Sequence, residues 1–402
     1  MPDITTGYKL KVRARKYSRI YRPLKKFHNF FTGTVPKRLI DILRPIIPER
    51  AIRFGPPRGS FSIYTSPAAW ATPPNRVVLY DQGRLPVPDG SLLELCGLSQ
   101  HCTQPWPIFW SRHQNARLVS SSLALMDGKK RICRESVYGD DAMLDDEAWN
   151  YAVLPKEIVL PGKWTSIVSR WTPNNMVAPF SHWILDALPR LALLPEFPPD
   201  TQILVPGKLA GYQKETLKLM GLQDRVRCTP ESHVVVEDYY FSSPTAMIST
   251  YSPYGVNFLR STFLPKADKS YRGPKRFVIQ RKGKTRGIKN NAEVNAFFES
   301  LGWAIINTED LTFAQEVELF KNAEAFAGVM GSGFTNAVWS SPGCKVIMFV
   351  PDTLPDGWTE WICSVNKLSF HWKLFPADHE VMATVDLEGV KKLLTEAGLE
   401  TK

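Results

Sequence analysis

The sequence lacks several features that would assign it directly to a class of protein. It contains no run of eighteen apolar residues, so we expect no membrane-spanning helix, and its start lacks the apolar stretch of a signal peptide. Its six cysteines include no C-x-x-C spacing, which argues against structural zinc and thioredoxin-like redox chemistry. We therefore expect a cytoplasmic protein whose cysteines are reduced and buried.

Basic charge is concentrated at one end of the chain. The formal net charge is +11, and residues 1–60 alone hold 15 Lys/Arg against 3 Asp/Glu. Such an arm can contact nucleic acid, an anionic membrane or an acidic partner. Because no helix-turn-helix, RNA-binding or zinc-finger pattern follows it, we do not expect nucleic acid, and a peripheral site at the inner membrane face is the preferred alternative.

The length of 402 residues suggests two domains beyond the arm. We predict a basic arm at 1–60, an N-terminal domain at 61–268 that begins with β-rich segments, and a C-terminal domain at 269–402. In the C-terminal domain, strands are predicted at 277–279, 303–306, 325–328 and 345–350, with helices at 292–301 and from 312 onward. This alternation predicts an α/β fold with a parallel, Rossmann-like sheet, in which ligands bind at the carboxyl ends of strands.

A basic loop directly follows the first of these strands. It covers residues 280–287 and contains Arg281, Lys284 and Arg286. The forked guanidinium group of arginine can bind two phosphate oxygens at once. A solvated charged loop is the alternative, but its place at the end of a strand favours a diphosphate site.

A glycine-rich turn follows the strand at 325–328. Gly331, Ser332 and Gly333 lie in this turn, and Asn336 follows it. Glycine lets the backbone approach a ligand closely, and a helix starting near Thr335 would direct unpaired N–H groups at a phosphate. An ordinary tight turn is the alternative for so short a motif.

A histidine and an aspartate lie four residues apart in a predicted helix at 181–194. His182 and Asp186 would therefore share one helix face. Such a pair can act as a general base, in which one group takes the proton and the other orients it. Asp186 is the favoured base, because a carboxylate keeps its charge across the range in which a histidine titrates. A purely structural pair is the alternative.

Taken in order, these motifs resemble glycosyltransferase family 61, which includes bacterial capsular polysaccharide biosynthesis proteins. The resemblance covers roughly residues 175–350 and depends on the order of several weak motifs. The matching residues are His182, Asp186 and Pro189-Arg190-Leu191, then Arg281, Arg286 and Asn290, then residues 310–317, and finally Gly331, Gly333, Asn336 and Pro342-Gly343.

The resemblance implies a GT-B-like fold, with two Rossmann-like halves and a cleft between them. It implies an inverting hexosyl- or pentosyltransferase that moves a sugar from a nucleotide-sugar to a cell-surface polysaccharide, glycan or lipid-linked glycan. The implied catalytic residues are Asp186 and His182, and the implied donor-binding residues are Arg281, Lys284, Arg286, Asn290, Gly331, Ser332, Gly333 and Asn336. The sequence has no Asp-x-Asp metal-binding motif, so we expect no metal and no cofactor.

Two positions depart from the family pattern. The family's glycine turn usually begins with histidine, where this chain has Met330, and the next strand usually carries glutamate, where it has Met348. Methionine donates no hydrogen bond. The alternative function is therefore a non-catalytic nucleotide- or sugar-binding subunit of a polysaccharide assembly machine.

Overall fold

The computed structural model describes residues 76–81, 90–96, 107–126, 133, 136, 156–168, 179–231, 233–247, 250–283 and 286–399. The predicted arm at 1–60 and the predicted donor ligand Lys284 lie outside these residues. The strands are β1 (Arg76–Asp81), β2 (Pro107–Val119), β3 (Ala124–Met126), β4 (Ile158–Ser166), β5 (Gln202–Pro206), β6 (Val226–Thr229), β7 (His233–Ser242), β8 (Ala246–Met247), β9 (Thr250–Tyr251), β10 (Arg276–Ile279), β11 (Ala304–Ile306), β12 (Ala325–Val329), β13 (Lys345–Pro351) and β14 (Ser369–Phe375). The α-helices are α1 (Leu92–Leu95), α2 (Phe180–His182), α3 (Gly211–Leu219), α4 (Pro253–Phe263), α5 (Asn291–Ser300), α6 (Phe313–Lys321), α7 (Trp358–Asn366) and α8 (Leu387–Glu396).

The chain divides into two compact units, and each draws on separate stretches of sequence. Of the described residues, the first unit contains 76–81, 107–126, 133, 136, 156–168, 179–210, 224–231 and 233–244, and the second contains 90–96, 211–223, 245–247, 250–283 and 286–399. Each unit contains one large sheet, and helices connect many of the strands. The predicted α/β class is therefore confirmed, whereas the domain limits at 60/61 and 268/269 stay predictions.

The first unit is built on a mixed sheet rather than a purely parallel one. Its described strands follow the order β1-β2-β7-β4-β5-β6, with β3 paired to β2. β2 runs antiparallel to β1 and β7, whereas the pairs β7–β4, β4–β5 and β5–β6 are parallel. The central strand β7 is buried along most of its length, because it is covered by side chains such as Phe109, Trp164 and Leu204.

The second unit contains the parallel sheet that the sequence predicts. Its strands follow the order β11-β10-β12-β13-β14, and every pair is parallel. Helix α5 connects β10 to β11, α6 connects β11 to β12, and α7 connects β13 to β14. A capping box of Thr312 and Gln315 begins α6, as the sequence predicts. Val278, Phe298 and Phe349 lie in the core cluster that includes residues of both the sheet and α5.

Close backbone packing explains a glycine within β12. Gly328 has a φ of 158°, and a Cβ at this position would be 2.9 Å from the carbonyl oxygen of Ile279 on the neighbouring strand. A side chain would therefore separate β10 from β12. Within the described residues, no helix has both the length and the hydropathy needed to cross a bilayer.

Candidate functional site

The carboxyl ends of β10 and β12 form the candidate site of the second unit. These strands are neighbours, but the chain passes from β10 to β11 on one side and from β12 to β13 on the other. In open parallel sheets, such a divergence leaves a crevice in which ligands bind. Arg281 follows β10 and Gly331 follows β12. The structure therefore brings the basic loop and the glycine turn to the two sides of this crevice.

Arg281 packs directly against Gly331. A Cβ at Gly331 would clash with the Nη1 atom of Arg281, so a larger residue would displace the guanidinium group. This Nη1 atom is buried and has no hydrogen-bond partner among the described residues. A buried donor without an acceptor is costly and rare in folded proteins. Its position at the crevice makes an anionic ligand the natural acceptor.

The basic loop concentrates positive charge beside the crevice. Burial and the nearby charge of Arg286 lower the pKa of Arg281, and Glu309 partly offsets this shift. No carboxylate among the described residues forms an ion pair with either arginine, whereas Lys282 of the same loop pairs with Asp310. Two neighbouring guanidinium groups without a paired carboxylate favour a ligand with several negative oxygens.

The backbone of Arg286 is held in an uncommon conformation. Its φ of 57° lies in the left-handed region, which costs a residue other than glycine about 1–2 kcal/mol. A hydrogen bond of 3.2 Å from its N–H to the carbonyl oxygen of Glu380 holds this conformation, while the side chain is exposed. Strained residues of this kind cluster at binding sites.

The glycine turn leads into a helix three residues earlier than the sequence predicts. A 3₁₀ helix covers Ser332–Trp339, with Gly331 at its N-cap position. The first N–H groups of a helix have no acceptor within it. Gly333 packs closely on β10, since a Cβ there would be 2.9 Å from Cγ2 of Ile279. The predicted residues Gly331, Ser332 and Gly333 therefore lie together beside Arg281.

Two other predicted donor ligands form hydrogen bonds within the protein. Asn336 is fully buried, and its Nδ2 donates to Glu316 at 2.5 Å while its Oδ1 accepts from Nε1 of Trp339 at 2.9 Å. Asn290 donates to the carbonyl oxygen of Val385 at 2.8 Å and accepts from its N–H at 3.0 Å. These bonds hold the glycine turn and the end of the basic loop in place. Direct contact of either asparagine with a donor stays a prediction.

Glu316 lies in the stretch 310–317 of the family resemblance, but the sequence assigned it no role; in the structure it supports the glycine turn from α6. Burial raises the pKa of Glu316 to about 8; the hydrogen bond from Asn336 opposes this rise, and the charges of Glu215 and Glu309 add to it. Glu215 of α3 accepts hydrogen bonds of 3.0 and 3.3 Å from the N–H groups of Phe313 and the next residue, at the start of α6. The sequence signals here were the matching stretch 310–317 and the capping box, and neither indicates which side chains α6 buries.

The pair of His182 and Asp186 lies in the first unit. Nδ1 of His182 is 2.6 Å from Oδ2 of Asp186, so the expected pairing on one helix face is present. The His182 side chain is 27% exposed and that of Asp186 is 7% exposed. The more accessible histidine is therefore the member that can meet a substrate, while the buried carboxylate fixes the orientation of its ring.

The helix at this position is not regular. The short helix α2 passes into a π turn at Trp183–Ala187 and then into a 3₁₀ helix at Leu188–Glu196. Pro189 lacks an N–H, which prevents a continuous α-helix through this segment. Asp186 lies inside the π turn, a local irregularity that is frequent at functional sites.

Arg190 attaches this segment to the sheet. It is buried, and its Nη2 donates to the carbonyl oxygen of Ser242 at 2.5 Å, while Nη1 is 3.4 Å from that of Val168. Its guanidinium group lies 5.6 Å from the centroid of the Phe241 ring. Ser242 ends β7 and Val168 follows β4, so Arg190 holds the segment at the carboxyl ends of two adjacent parallel strands.

Comparison with known proteins bears on the candidate residues of each unit. In the described part of the chain, His, Cys, Asp and Glu side chains form no group of three or more that could hold a metal ion. No curated protein matches the chain. Residues 180–347 match the family model described as Glycosyltransferase 61, and this segment contains both the pair of His182 and Asp186 and the contact between Arg281 and Gly331. This match supports the glycosyltransferase 61 family and suggests glycosyltransferase activity for the chain.

Proposed function

We propose that the protein is a glycosyltransferase that takes its sugar from a nucleotide-sugar donor. The observation that carries this proposal is the buried, unpaired Nη1 of Arg281, which packs against Gly331 at the crevice between β10 and β12. The diphosphate of a nucleotide-sugar offers the acceptor oxygens that Arg281 and Arg286 lack. The family match over residues 180–347 supports the same chemistry.

The proposed reaction is a single displacement with inversion. An acceptor hydroxyl attacks the anomeric carbon of the donor, and the bond from that carbon to the diphosphate oxygen breaks. The hydroxyl proton passes to the catalytic base, and the diphosphate leaves with both electrons of the broken bond. Arg281 and Arg286 stabilise the charge that develops on the leaving diphosphate.

Exposure supports His182 as the base, with Asp186 as its orienting partner. The sequence analysis instead favoured Asp186 as the base. An Nδ1–H that donates to Asp186 places the lone pair of a neutral ring on Nε2, and the ring is the more exposed member of the pair. The carboxylate also stabilises the charge that the ring acquires with the proton.

The proposal also covers the fold type, the acceptor, the donor sugar and the location of the protein. The transferase is GT-B-like and acts in cell-surface polysaccharide synthesis. A glycan or lipid-linked glycan acceptor binds the first unit, and the hexosyl or pentosyl donor binds the second.

The basic arm attracts the cytoplasmic protein to an anionic membrane leaflet. Each of the fifteen Lys/Arg in residues 1–60 contributes up to about 1 kcal/mol to this attraction. Sedimentation with anionic vesicles at low salt tests this last point, and full-length protein that stays in the supernatant contradicts it.

The proposed reaction needs no metal, because arginines and a helix N-terminus hold the diphosphate. Turnover is therefore expected to persist in EDTA. Activity that disappears in the chelator and returns with Mg²⁺ or Mn²⁺ contradicts metal independence, while leaving the transferase assignment intact.

The decisive experiment screens UDP-, GDP- and CMP-sugars by thermal shift and then measures sugar transfer or donor hydrolysis with those that bind. A ligand that binds only the folded state raises its melting temperature. Wild-type protein is expected to bind at least one donor and turn it over, and Arg281→Ala is expected to lose binding. A protein that binds a donor without turnover instead fits the binding-subunit alternative, which the buried methionines Met330 and Met348 favour. Absence of binding to every donor contradicts the proposed function.

A further inference from the structure

A second unpaired polar atom lies at the same edge of the parallel sheet as Arg281. Asn307 directly follows β11, and its Oδ1 is buried without a hydrogen-bond partner among the described residues. Asparagine in this position usually caps the helix that follows it. Asn307 is the N-cap residue of the 3₁₀ helix Thr308–Asp310, yet its side chain makes no capping hydrogen bond. The amide is therefore not explained by the local helix.

Neighbouring contacts place this residue next to the proposed diphosphate site. The N–H of Gln280 donates to the carbonyl oxygen of Ile306 at 2.8 Å, which brings the segments that follow β10 and β11 together. Oγ1 of Thr308 would be 3.8 Å from a Cβ at Gly333, and the charge of Glu309 acts on Arg281. The residues on both sides of the crevice thus lie close to the segment that begins with Asn307.

On the other side of the crevice, the buried oxygens without a partner among the described residues are hydroxyls, those of Thr335 after β12 and Thr353 after β13, and not amide oxygens. Asp352, which follows β13, accepts a hydrogen bond of 3.0 Å from the N–H of Ala377 through Oδ1. Met348 is fully buried within β13 and cannot serve as a polar ligand group. Of Asn307, Asp352 and Met348, Asn307 alone presents a buried oxygen that lacks a donor.

We propose that Asn307 recognises the nucleoside part of the donor, by accepting a hydrogen bond from a ribose hydroxyl or a base N–H through Oδ1. This inference rests on the proposed function, because it takes Arg281 and Arg286 as the diphosphate ligands. A nucleoside whose diphosphate is held between β10 and β12 then extends toward β11. In parallel sheets that bind nucleotides, a polar residue after the strand next to the phosphate loop is well placed to contact the ribose.

The experiment compares nucleoside diphosphates with inorganic pyrophosphate as probes of binding. UDP, GDP and CDP contain both the diphosphate and a nucleoside, while pyrophosphate lacks the nucleoside. Asn307→Ala is expected to weaken binding of the preferred nucleoside diphosphate about 3- to 10-fold, the range for one neutral hydrogen bond, and to leave pyrophosphate binding unchanged. Equal losses for both probes, or no loss for either, overturn the inference.

Asn295→Ala is a matched control. Asn295 is also an asparagine with a buried, unpaired Oδ1, but it lies within helix α5 rather than at the end of a strand. This variant is expected to bind both probes as the wild type does. A loss of nucleoside diphosphate binding equal to that of Asn307→Ala contradicts a specific contact. Melting temperatures of both variants check that each is folded, and Asn307→Ser replaces Asn307→Ala should the alanine variant unfold.

Deoxy probes identify which group of the nucleoside is contacted. The effect of Asn307→Ala should vanish with the 2′-deoxy or the 3′-deoxy nucleoside diphosphate if the missing hydroxyl is the partner. An effect that persists with both probes assigns the contact to the base. Wild-type protein that binds neither nucleoside diphosphate nor pyrophosphate contradicts the proposed function itself, whereas normal wild-type binding with an unaffected Asn307 variant contradicts this inference alone.

Discussion

Two arginines, one in each unit, lie at the carboxyl ends of parallel strands and have different surroundings: Arg190 is buried, whereas Arg281 is only partly buried. Arg190 uses its terminal nitrogens on the carbonyl oxygens of Ser242 and Val168, although its Nε stays unpaired among the described residues. Arg281 makes no hydrogen bond from its side chain to any described residue, and its Nη1 is buried. The first arginine completes the fold of its unit. The second retains the donor capacity that an anionic ligand needs.

The same contrast separates the asparagines of the second unit. Asn290 and Asn336 use both ends of their amides within the protein, whereas Asn307 has an unpaired oxygen. Residue type did not distinguish these cases, because all three are asparagines in segments that follow β10, β11 or β12 at one edge of the sheet. The hydrogen-bond partners distinguish them, and the following variants test whether that distinction separates structural residues from ligand-binding ones.

The largest effect is expected at the pair of His182 and Asp186. His182→Ala removes the proposed base and Asp186→Asn removes the partner that orients it, so kcat should fall about 10²- to 10⁴-fold in each variant. Donor affinity and melting temperature should change little. Steady-state kinetics and thermal unfolding of both variants provide the measurement. Lower stability with normal kcat in the folded fraction would instead give this pair the same structural role as Arg190.

The second effect concerns the stability of the first unit. Arg190→Met keeps the length of the side chain but leaves the carbonyl oxygens of Ser242 and Val168 without their donor. Unpaired buried groups of this kind cost about 1–3 kcal/mol each, so the free energy of unfolding should fall by about 2–4 kcal/mol. Chemical denaturation measures this change. An unaltered midpoint and slope would show that Arg190 does not complete the fold.

The third effect concerns binding by the second unit. Arg281→Ala should weaken the binding free energy of the donor by about 2–3 kcal/mol, the range for a charge-assisted contact. The stability of the protein should not fall, because the Arg281 side chain has no hydrogen-bond partner to lose among the described residues. Arg281→Lys should restore only part of this affinity, because the guanidinium fork is absent. Calorimetry measures the affinities, and Lys282→Ala, which removes a surface ion pair of the same loop, is the control. Unchanged affinity in Arg281→Ala rejects the assignment.

The smallest effect is a dependence of stability on pH. Because Glu316 in the folded protein has a pKa of about 8 and an exposed glutamate has one near 4.3, the folded state holds an extra proton between these values. The contribution of this group to stability therefore falls as pH rises from about 5 to 8. Glu316→Gln keeps an acceptor for Asn336 and removes the titration, so its advantage over the wild type should grow as pH rises from 5 to 8. A constant difference in the free energy of unfolding between pH 5 and 8 contradicts this origin.

Much of the second unit follows directly from local sequence patterns. Apolar runs at 277–279, 303–306, 325–328 and 345–350 are the cores of the four parallel strands β10 to β13. β10, β12 and β13 lie inside the sheet and are largely buried, and a strand covered on both faces must be apolar along its length. Thr312 and Gln315 form the capping box that they predict, since that contact involves only residues three positions apart. The mixed sheet of the first unit was less predictable, because β2 pairs with β7 more than a hundred residues away.

The sequence by itself determined which charged and flexible residues follow each strand, and therefore that Arg281 and Gly331 belong to the edge where ligands bind. Only the tertiary structure decided which of these residues have protein partners. Arg190 meets carbonyl oxygens of two strands and Asn336 meets a glutamate twenty residues earlier, whereas Arg281 and Asn307 have unpaired atoms. The physical reason is that hydrogen bonds depend on distance in space, and residue spacing along the chain fixes this distance only within a helix, a turn or a strand.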